Sequence, residues 1–182
     1  MTKRPIPTIK GVFVNSHVNM VRKLKGEEGL KQMETRYGRP LRFKYLEEVP
    51  VRDEVRIIEI ALDLVSEKRI SRSERSFEAG RLHFRNFAGT PLGKLVMLSL
   101  PRNFKTIMMR IPHVASHVFR HVGFTVKDLG DRSVSVLMEN NDYPIEHFRG
   151  VFYEWLVFRK YKGSVEAKEI PGNIYRYIIS WK

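Results

Sequence analysis

The fold of this chain is decided by residues 123–182, whose sequence is GFTVKDLGDRSVSVLMENNDYPIEHFRGVFYEWLVFRKYKGSVEAKEIPGNIYRYIISWK. Two stretches of alternating apolar and polar residues meet at Gly130-Asp131, and two more flank Pro171-Gly172-Asn173. Such alternation on both sides of turn-forming residues predicts two β-hairpins, each with one buried face.

A helix is predicted between the two hairpins, because apolar residues recur there at steps of three and four. These residues are Ile145, Phe148, Phe152, Trp155 and Leu156. We expect Asp142 or a neighbour to cap the helix, Pro144 to occupy its first turn and Gly163 to end it. Two hairpins and one amphipathic helix bury their apolar side chains together only when the helix packs on the sheet, which is an α+β arrangement.

Residues 9–122 are predicted to form a mainly helical half that packs against this ββαββ unit of residues 123–182. The pattern favours a helix from Ile9 to Gly26, a shorter one to Tyr37, and a helix capped by Asp53. The apolar face of that last helix is predicted to consist of Val55, Ile58, Leu62 and Val65. Residues 1–8 carry two prolines and two basic residues, which predicts a flexible arm, and the whole of residues 1–182 suits one domain.

The composition limits the classes of partner and of chemistry. A formal net charge of +13 favours phosphate-bearing partners: a small ligand such as a nucleotide, a nucleic acid, or an anionic surface. The absence of cysteine excludes disulfides, thiolate catalysis and cysteine-ligated metals. No 18-residue apolar run or secretion signal is present, so we expect no membrane span and a cytoplasmic location.

Several motifs spread over nearly the whole chain resemble an uncharacterised bacterial family known as a myxobacterial paralogous family. They are Lys10-Gly11-Val12-Phe13, Gly26-Glu27-Glu28-Gly29-Leu30, Ala79-Gly80-Arg81, Thr90-Pro91-Leu92-Gly93-Lys94 and Ile179-Ser180-Trp181. That family is similar to V4R and haem–nitric-oxide-binding domains. The resemblance implies a helical half packed on an antiparallel α/β half, which encloses ligands between the halves, and a ligand-binding or regulatory role.

Two departures limit what this resemblance implies. V4R domains commonly end with paired cysteines, and this chain has none. The haem-binding relatives use a proximal histidine and a downstream Tyr-x-Ser-x-Arg element that holds the propionates, and this element is missing here. The resemblance therefore implies the fold without implying haem.

The first candidate site is cationic and consists of Arg72, Arg75, Arg81 and Arg85. Arg81 and Arg85 lie one helical turn apart, and two guanidinium groups so spaced are able to bind phosphate oxygens bidentately. The pair also matches the Arg-x-x-x-Arg of cyclic-di-GMP-binding PilZ domains, although the remainder of the PilZ pattern is missing. Three interpretations of these arginines are possible: a solvated basic face, a nucleotide or cyclic-dinucleotide site, or a surface for nucleic acid or an acidic protein.

A second candidate site, for a metal ion, consists of His113, His117 and His121, which are spaced at i, i+4 and i+8. Imidazoles one helical turn apart are able to share one ion. Histidines on the polar face of a basic helix are the alternative. Two weaker patterns are the polar run Asp142, Glu146 and His147, which suits a turn before a helix, and Asn15-Ser16-His17, which lacks a nearby acid for a serine nucleophile.

No catalytic constellation emerges, so we predict a non-enzymatic ligand-binding or regulatory module that uses its basic surface for a phosphate-bearing ligand or an acidic partner. A weakly sequence-selective nucleic-acid-binding protein is the alternative. The apolar stretch from Leu92 to Met109 suits a core or a homodimer interface.

Overall fold

The computed structural model of the protein describes residues 4–66 and 71–182, apart from the side chain of Leu92. In this part of the chain the helices are α1 (Gly11–Tyr37), α2 (Val51–Val65), α3 (Arg72–Gly89), α4 (Pro91–Ser99), α5 (Phe104–Met109), α6 (Ile111–Val118) and α7 (Ile145–Phe158). The strands are β1 (Thr8–Lys10), β2 (Glu48–Pro50), β3 (Phe119–Arg120), β4 (Gly123–Gly130), β5 (Ser133–Glu139), β6 (Gly163–Ile170) and β7 (Ile174–Trp181). None of these helices is long and apolar enough to cross a membrane.

The four-stranded antiparallel sheet has the order β4-β5-β7-β6, and α7 packs on its buried face. Val136 of β5 lies opposite Tyr177 of β7, and both side chains are fully buried. Gly130 and Gly172 adopt the left-handed backbone that the two hairpin turns require, with φ angles of 134° and 94°. The predicted α+β fold, with two hairpins joined by a helix and a helical half packed against them, is confirmed.

The turn before α7 differs from the predicted cap. The helix begins after Pro144 without a side-chain cap, and the carboxylate of Asp142 instead accepts hydrogen bonds from Arg52 at 2.9 Å and from Arg4 at 3.2 Å. Asp142 therefore joins the N-terminal segment and α2 to this turn, because two guanidinium groups compete for it more strongly than a backbone N–H.

The end of α7 also differs from the prediction. The helix stops at Phe158, and Gly163 is the first residue of β6. Lys160, with a φ of 60°, makes the left-handed turn between them. The prediction that Gly163 ends the helix is wrong.

The N-terminal segment pairs with other strands over its described length. Strand β1 is the centre of a three-stranded antiparallel sheet in the order β2-β1-β3, and Ile9 is buried in the core. The carbonyl of Pro7 accepts a hydrogen bond from the Val51 amide at 3.0 Å. Residues 4–8 of the predicted arm are therefore held by strand pairing and by Asp142, while residues 1–3 lie outside the described residues.

Helix α1 is broken at Gly26, where φ is 68° and ψ is −164°, and this is where the sequence predicts the end of the first helix. Helix α2 begins one residue after Pro50, so Asp53 lies inside its first turn and the predicted cap is wrong. The buried residues of α2 are Val51, Glu54, Ile57, Ile58 and Ala61. Ile58 is the one residue that the predicted face shares with this set; the buried face is rotated from the predicted one toward Glu54, Ile57 and Ala61.

Helices α3 and α7 touch backbone to backbone at two glycines. A Cβ atom on Gly80 would lie 1.8 Å from the His147 carbonyl oxygen, and one on Gly150 would lie 2.0 Å from the Phe77 carbonyl oxygen. This close crossing brings His83 of α3 and His147 of α7 within hydrogen-bond distance.

The buried apolar side chains form two clusters. One lies between the four-stranded sheet, α7 and α5, and the other lies among α1, α2 and the small sheet. Phe119 packs against both clusters. The residues described next lie where these two cores meet.

Candidate functional site: a buried histidine–glutamate cluster

Four ionisable side chains from four different helices meet in the interior. They form the histidine–glutamate cluster, which consists of His17 of α1, Glu54 of α2, His83 of α3 and His147 of α7. All four are buried, and His17 and Glu54 have no exposed surface. Buried ionisable groups are rare unless they are paired, so a cluster of four is the most unusual polar feature of this core.

Glu54 is the centre of the cluster. Its Oε1 atom lies 2.7 Å from His17 Nε2 and 3.4 Å from His83 Nδ1. The second neighbour of His83 Nδ1 is His147 Nε2, at 3.1 Å. The Asn86 side-chain amide lies 3.1 Å from His17 Nδ1 on the far side of that ring.

These distances are consistent with one arrangement of hydrogen bonds, in which the Asn86 amide donates to His17 Nδ1 and His17 Nε2–H donates to Glu54. Three buried side-chain atoms have no hydrogen-bond partner within normal geometry among the residues described: Glu54 Oε2, Asn141 Nδ2 and the Tyr143 hydroxyl. An unpaired polar atom in a core is costly, but the Tyr143 hydroxyl lies beside the Glu54 carboxylate, and burial together with that carboxylate raises the pKa of Tyr143.

The pKa values of three members of the cluster are shifted from their ordinary values. Burial raises the pKa of Glu54, but the neighbouring His83 and the hydrogen bond from His17 outweigh burial and lower it to about 2. Burial lowers the pKa of His83 to about 4, against the attraction of Glu54. Burial likewise lowers the pKa of His147 to about 3. A carboxylate is therefore buried beside two neutral imidazoles.

An apolar cavity of about 120 Å³ lies next to the cluster, and His83 is part of its wall. Among the described residues, the other lining side chains are apolar or aromatic, and they include Phe84, Phe87, Phe148, Phe152 and Trp155. They come from α1 and from α3 to α7 together with β3 and β4, so the cavity lies between the helical half and the sheet half.

The four predicted phosphate-binding arginines lie along α3, and carboxylates already engage three of them. Arg75 pairs with Asp63 at 2.6 Å. Arg81 donates to Glu154 at 2.7 Å and to Glu78 at 2.9 Å, and Arg85 lies 3.4 Å from Glu154. Arg72 is exposed at the start of the helix. Phosphate binding by this face stays a prediction, and its ligand would compete with these ion pairs.

The three predicted metal-binding histidines do not share one helical face. His113 and His117 lie on α6 with ring centres 5.0 Å apart, and both are exposed. Helix α6 ends at Val118, so exposed His121 lies beyond it, in a left-handed turn with a φ of 62°. Metal binding by these histidines stays a prediction, now restricted to the pair on α6.

Two residues of the cluster, His17 and His147, belong to weak sequence patterns, but neither pattern connects them with each other or with Glu54. His147 is the last residue of the polar run Asp142, Glu146 and His147 and lies in the first turn of α7. The sequence shows no acid near His17, but Glu54 supplies one from 37 positions away. Nearby Ser16 donates to the Phe13 carbonyl at 2.6 Å, so its hydroxyl is engaged by the helix backbone. One feature of the sequence indicates that His17 is buried: it lies among Val14, Val18 and Val21, which have the spacing of a helical core face.

Solved structures that superimpose on this chain include H-NOX domains. An oxygen-binding H-NOX domain related to soluble guanylate cyclases, solved as the oxygen complex, superimposes with a TM-score of 0.69 at 17% identity, over 96% of this chain and 95% of that one. The Fe(II) unliganded H-NOX protein from K. algicida gives 0.65 at 12% identity, over 96% and 97%. At these identities the likeness concerns the fold.

No curated protein matches the chain at the level of sequence. A family model described as "Protein of unknown function (DUF2378)" does match, over residues 3–182. The H-NOX-like fold expected from the sequence is thus found in the structure, and the chain belongs to the DUF2378 family.

Proposed function

We propose that this protein is a non-enzymatic sensor module that binds a small apolar ligand in the cavity between its helical half and its sheet half. The observation that carries the proposal is the cavity itself, which is lined by aromatic and aliphatic side chains and lies where two hydrophobic cores meet. An H-NOX-like fold supports a ligand-binding role at this place, because ligands favour concave, apolar sites between structural halves.

The residues present do not fit haem, which two of the H-NOX structures that resemble this fold were solved to study. The cavity volume of about 120 Å³ is below the roughly 300–1,000 Å³ of sites for larger ligands. His83 is the one imidazole among the described lining residues, and its Nδ1 atom already faces His147 and Glu54. The described lining also contains no arginine, serine or tyrosine that would hold propionates.

The size and the lining of the cavity favour a ligand of about one aromatic ring. A cavity of about 150 Å³ with similar apolar walls stays dry and binds benzene or xenon. The lining rings of Phe84 and Trp155, with centres 4.7 Å apart, offer edges and faces for aromatic contact.

Binding at this place would be transmitted through packing. Phe119 lines the cavity and packs against both cores, and His83 links the cavity wall to Glu54. A ligand would therefore alter how the helical half and the sheet half pack against each other, which is what a sensor requires.

The predicted basic surface is a second candidate binding site, for a phosphate-bearing or acidic partner. The net charge of +13 supports it, whereas the pairing of Arg75, Arg81 and Arg85 with carboxylates weakens it as a specific phosphate site. We therefore place the ligand in the cavity and treat phosphate-bearing or acidic partners as users of the surface.

Thermal unfolding in the presence of benzene tests the proposal. A ligand that binds only the folded chain stabilises it by RT ln(1 + [L]/Kd), so we expect the melting temperature to rise with benzene concentration and to saturate. An unchanged melting temperature up to the solubility of benzene would contradict the proposal.

A valine-to-phenylalanine substitution at two positions of α7 gives a test variant and its control. Val151→Phe adds a ring in the cavity wall and should abolish the benzene effect, while Val157→Phe adds the same ring on the exposed side of the helix and should leave it intact. Equal loss of the effect in both variants would show that benzene does not act through the cavity.

A further inference from the structure

We propose that the histidine–glutamate cluster binds one divalent transition-metal ion, with His17, Glu54 and His83 as protein ligands. One ring nitrogen from each histidine and one carboxylate oxygen lie within 4.8 Å of one another, and all three side chains are buried. Two imidazoles and a carboxylate are a donor set that zinc and non-haem iron use in proteins. This inference is independent of the cavity ligand.

The distances between donor atoms suit such an ion. Bonds of about 2.0–2.1 Å in a tetrahedron place neighbouring ligand atoms about 3.3 Å apart. His83 Nδ1 and Glu54 Oε1 are 3.4 Å apart, and His147 Nε2 lies 3.1 Å from His83 Nδ1. His147 is not one of the three donors that lie within 4.8 Å of one another, so it is a neighbour of the site and not one of its ligands. The 2.7 Å separation of His17 and Glu54 is that of the hydrogen bond which the ion would replace.

The unpaired atoms of the cluster are an independent sign of a missing partner. Glu54 Oε2 and the Tyr143 hydroxyl are buried beside each other, but neither makes a hydrogen bond of normal geometry among the residues described. A buried carboxylate oxygen without a partner is expensive in free energy. A bound cation would supply a partner for that oxygen, and Tyr143 would then be a donor to an ion-bound carboxylate or water.

The surroundings of His17 suit a metal ligand as well. When its Nε2 atom binds an ion, its Nδ1 atom carries a proton and needs an acceptor. Asn86 lies 3.1 Å from Nδ1, and turning its side-chain amide by half a turn presents the oxygen in place of the nitrogen. Metal-bound histidines are usually oriented by such an outer hydrogen bond.

A titration of the wild-type protein with zinc alone is the first test. Protein freed of metal by a chelator is mixed with Zn²⁺ in competition with a chromophoric chelator, and Co²⁺ is then used as an absorbing substitute. We expect one ion per chain, a rise in melting temperature with Zn²⁺, and visible Co²⁺ absorption of a four-coordinate site. A wild-type protein that binds no stoichiometric ion would overturn the proposal.

Variants then locate the ion. Glu54→Gln and His17→Gln remove a ligand and should weaken Zn²⁺ binding by more than the roughly 10–100-fold expected for loss of an outer partner in Asn86→Ala. The double variant His113→Gln/His117→Gln is the control and should bind as the wild type does.

Two results would contradict this assignment: full affinity in Glu54→Gln, or loss of the ion in the α6 double variant. Circular dichroism of each variant identifies any that fails to fold, and the stoichiometry and Co²⁺ spectrum of the wild type test the proposal without them.

Discussion

Glu54 is an acidic residue in a core position, and its neighbours decide which protons the interior carries. Its carboxylate has a lowered pKa of about 2, while burial holds the pKa of His83 near 4 and of His147 near 3. In the unfolded chain all three groups return to their ordinary values, near 4.5 for the acid and 6.5 for the histidines. The stability of the metal-free protein must therefore depend on pH.

The first prediction is a loss of stability in mild acid. Below pH 6.5 the unfolded chain takes up protons on His83 and His147 that the folded chain refuses until about pH 4 and about pH 3, so the free energy of unfolding falls as pH falls. Each histidine contributes a slope of up to about 1.4 kcal/mol per pH unit. Glu54 adds to the loss between pH 4.5 and about pH 2, where only its unfolded form is protonated.

Urea unfolding between pH 7.5 and pH 4.5, in the presence of a chelator, measures this slope. His147→Gln should flatten the slope, whereas His113→Gln, on exposed α6, should leave it unchanged. A flat wild-type profile over this range would mean that the buried imidazoles accept protons in the folded state.

The sequence does not predict that the residues of the histidine–glutamate cluster lie together. A charged residue is normally assigned to the surface, so Glu54 was left out of the face of α2 although it lies one turn before Ile57 and Ile58. The cluster joins residues from four helices, and their meeting depends on tertiary packing. His147 was noticed because it follows a polar turn, yet nothing local connects it with His83.

At the level of elements, the α3–α7 crossing depends on two glycines. A methyl group on Gly80 would collide with the backbone of His147 at 1.8 Å, and backbone cannot move aside as a side chain can. We predict that Gly80→Ala destabilises the protein by about 1–3 kcal/mol, because overpacking outweighs the gain in helix propensity.

Gly89 at the end of the same helix is the matched control. A Cβ atom there would meet nothing within 4 Å, so Gly89→Ala should be neutral or stabilising by up to about 1 kcal/mol. Chemical denaturation of both variants gives the comparison. Equal effects of the two substitutions would argue against a tight crossing.

We expect some arginines of α3 to stabilise the fold and others to contribute little to its free energy of unfolding. Arg81 donates to Glu154, whose side chain is only 8% exposed, so Arg81→Ala removes a partner from a buried carboxylate. We expect a loss of about 1–3 kcal/mol. Arg72→Ala, at the exposed start of the helix, should change stability by less than about 0.5 kcal/mol.

Urea unfolding of these two variants would also show which arginines are open to a phosphate-bearing ligand. If Arg81→Ala proved as harmless as Arg72→Ala, then the Arg81–Glu154 contact would not stabilise the fold, and the predicted phosphate site would regain its strongest residue.

Elements were predicted best where the periodicity was clean. Both hairpins and α7 follow from alternation, turn residues and apolar steps of three and four, although the buried face of α7 also includes His147 and Glu154. The ends of helices were less predictable. Asp142 had a suitable position for a cap, but Arg4 and Arg52 approach it from distant parts of the chain, and no local pattern encodes that competition.

On the scale of the whole molecule, the surface charge and the apolar interior indicate two different kinds of ligand. The net charge of +13 is spread over the surface, whereas the cavity and the histidine–glutamate cluster lie inside, where the two cores meet. Surface charge acts on any polyanion and is screened by salt, with a Debye length of about 10 Å at 0.1 M. Apolar burial depends much less on ionic strength, so salt distinguishes the two.

The last prediction uses this difference. A fluorescent single-stranded oligonucleotide should bind at low salt, and its log–log slope against salt concentration should be about −0.7 for each phosphate neutralised. Binding through several scattered cations would give a slope of about −3 or steeper and would be lost near 200 mM salt. Stabilisation by benzene should stay the same from 50 to 200 mM salt, because no ion pair forms in the cavity. Oligonucleotide binding that persisted at high salt, with no benzene effect, would move the function from the interior to the surface and favour nucleic acid as the partner.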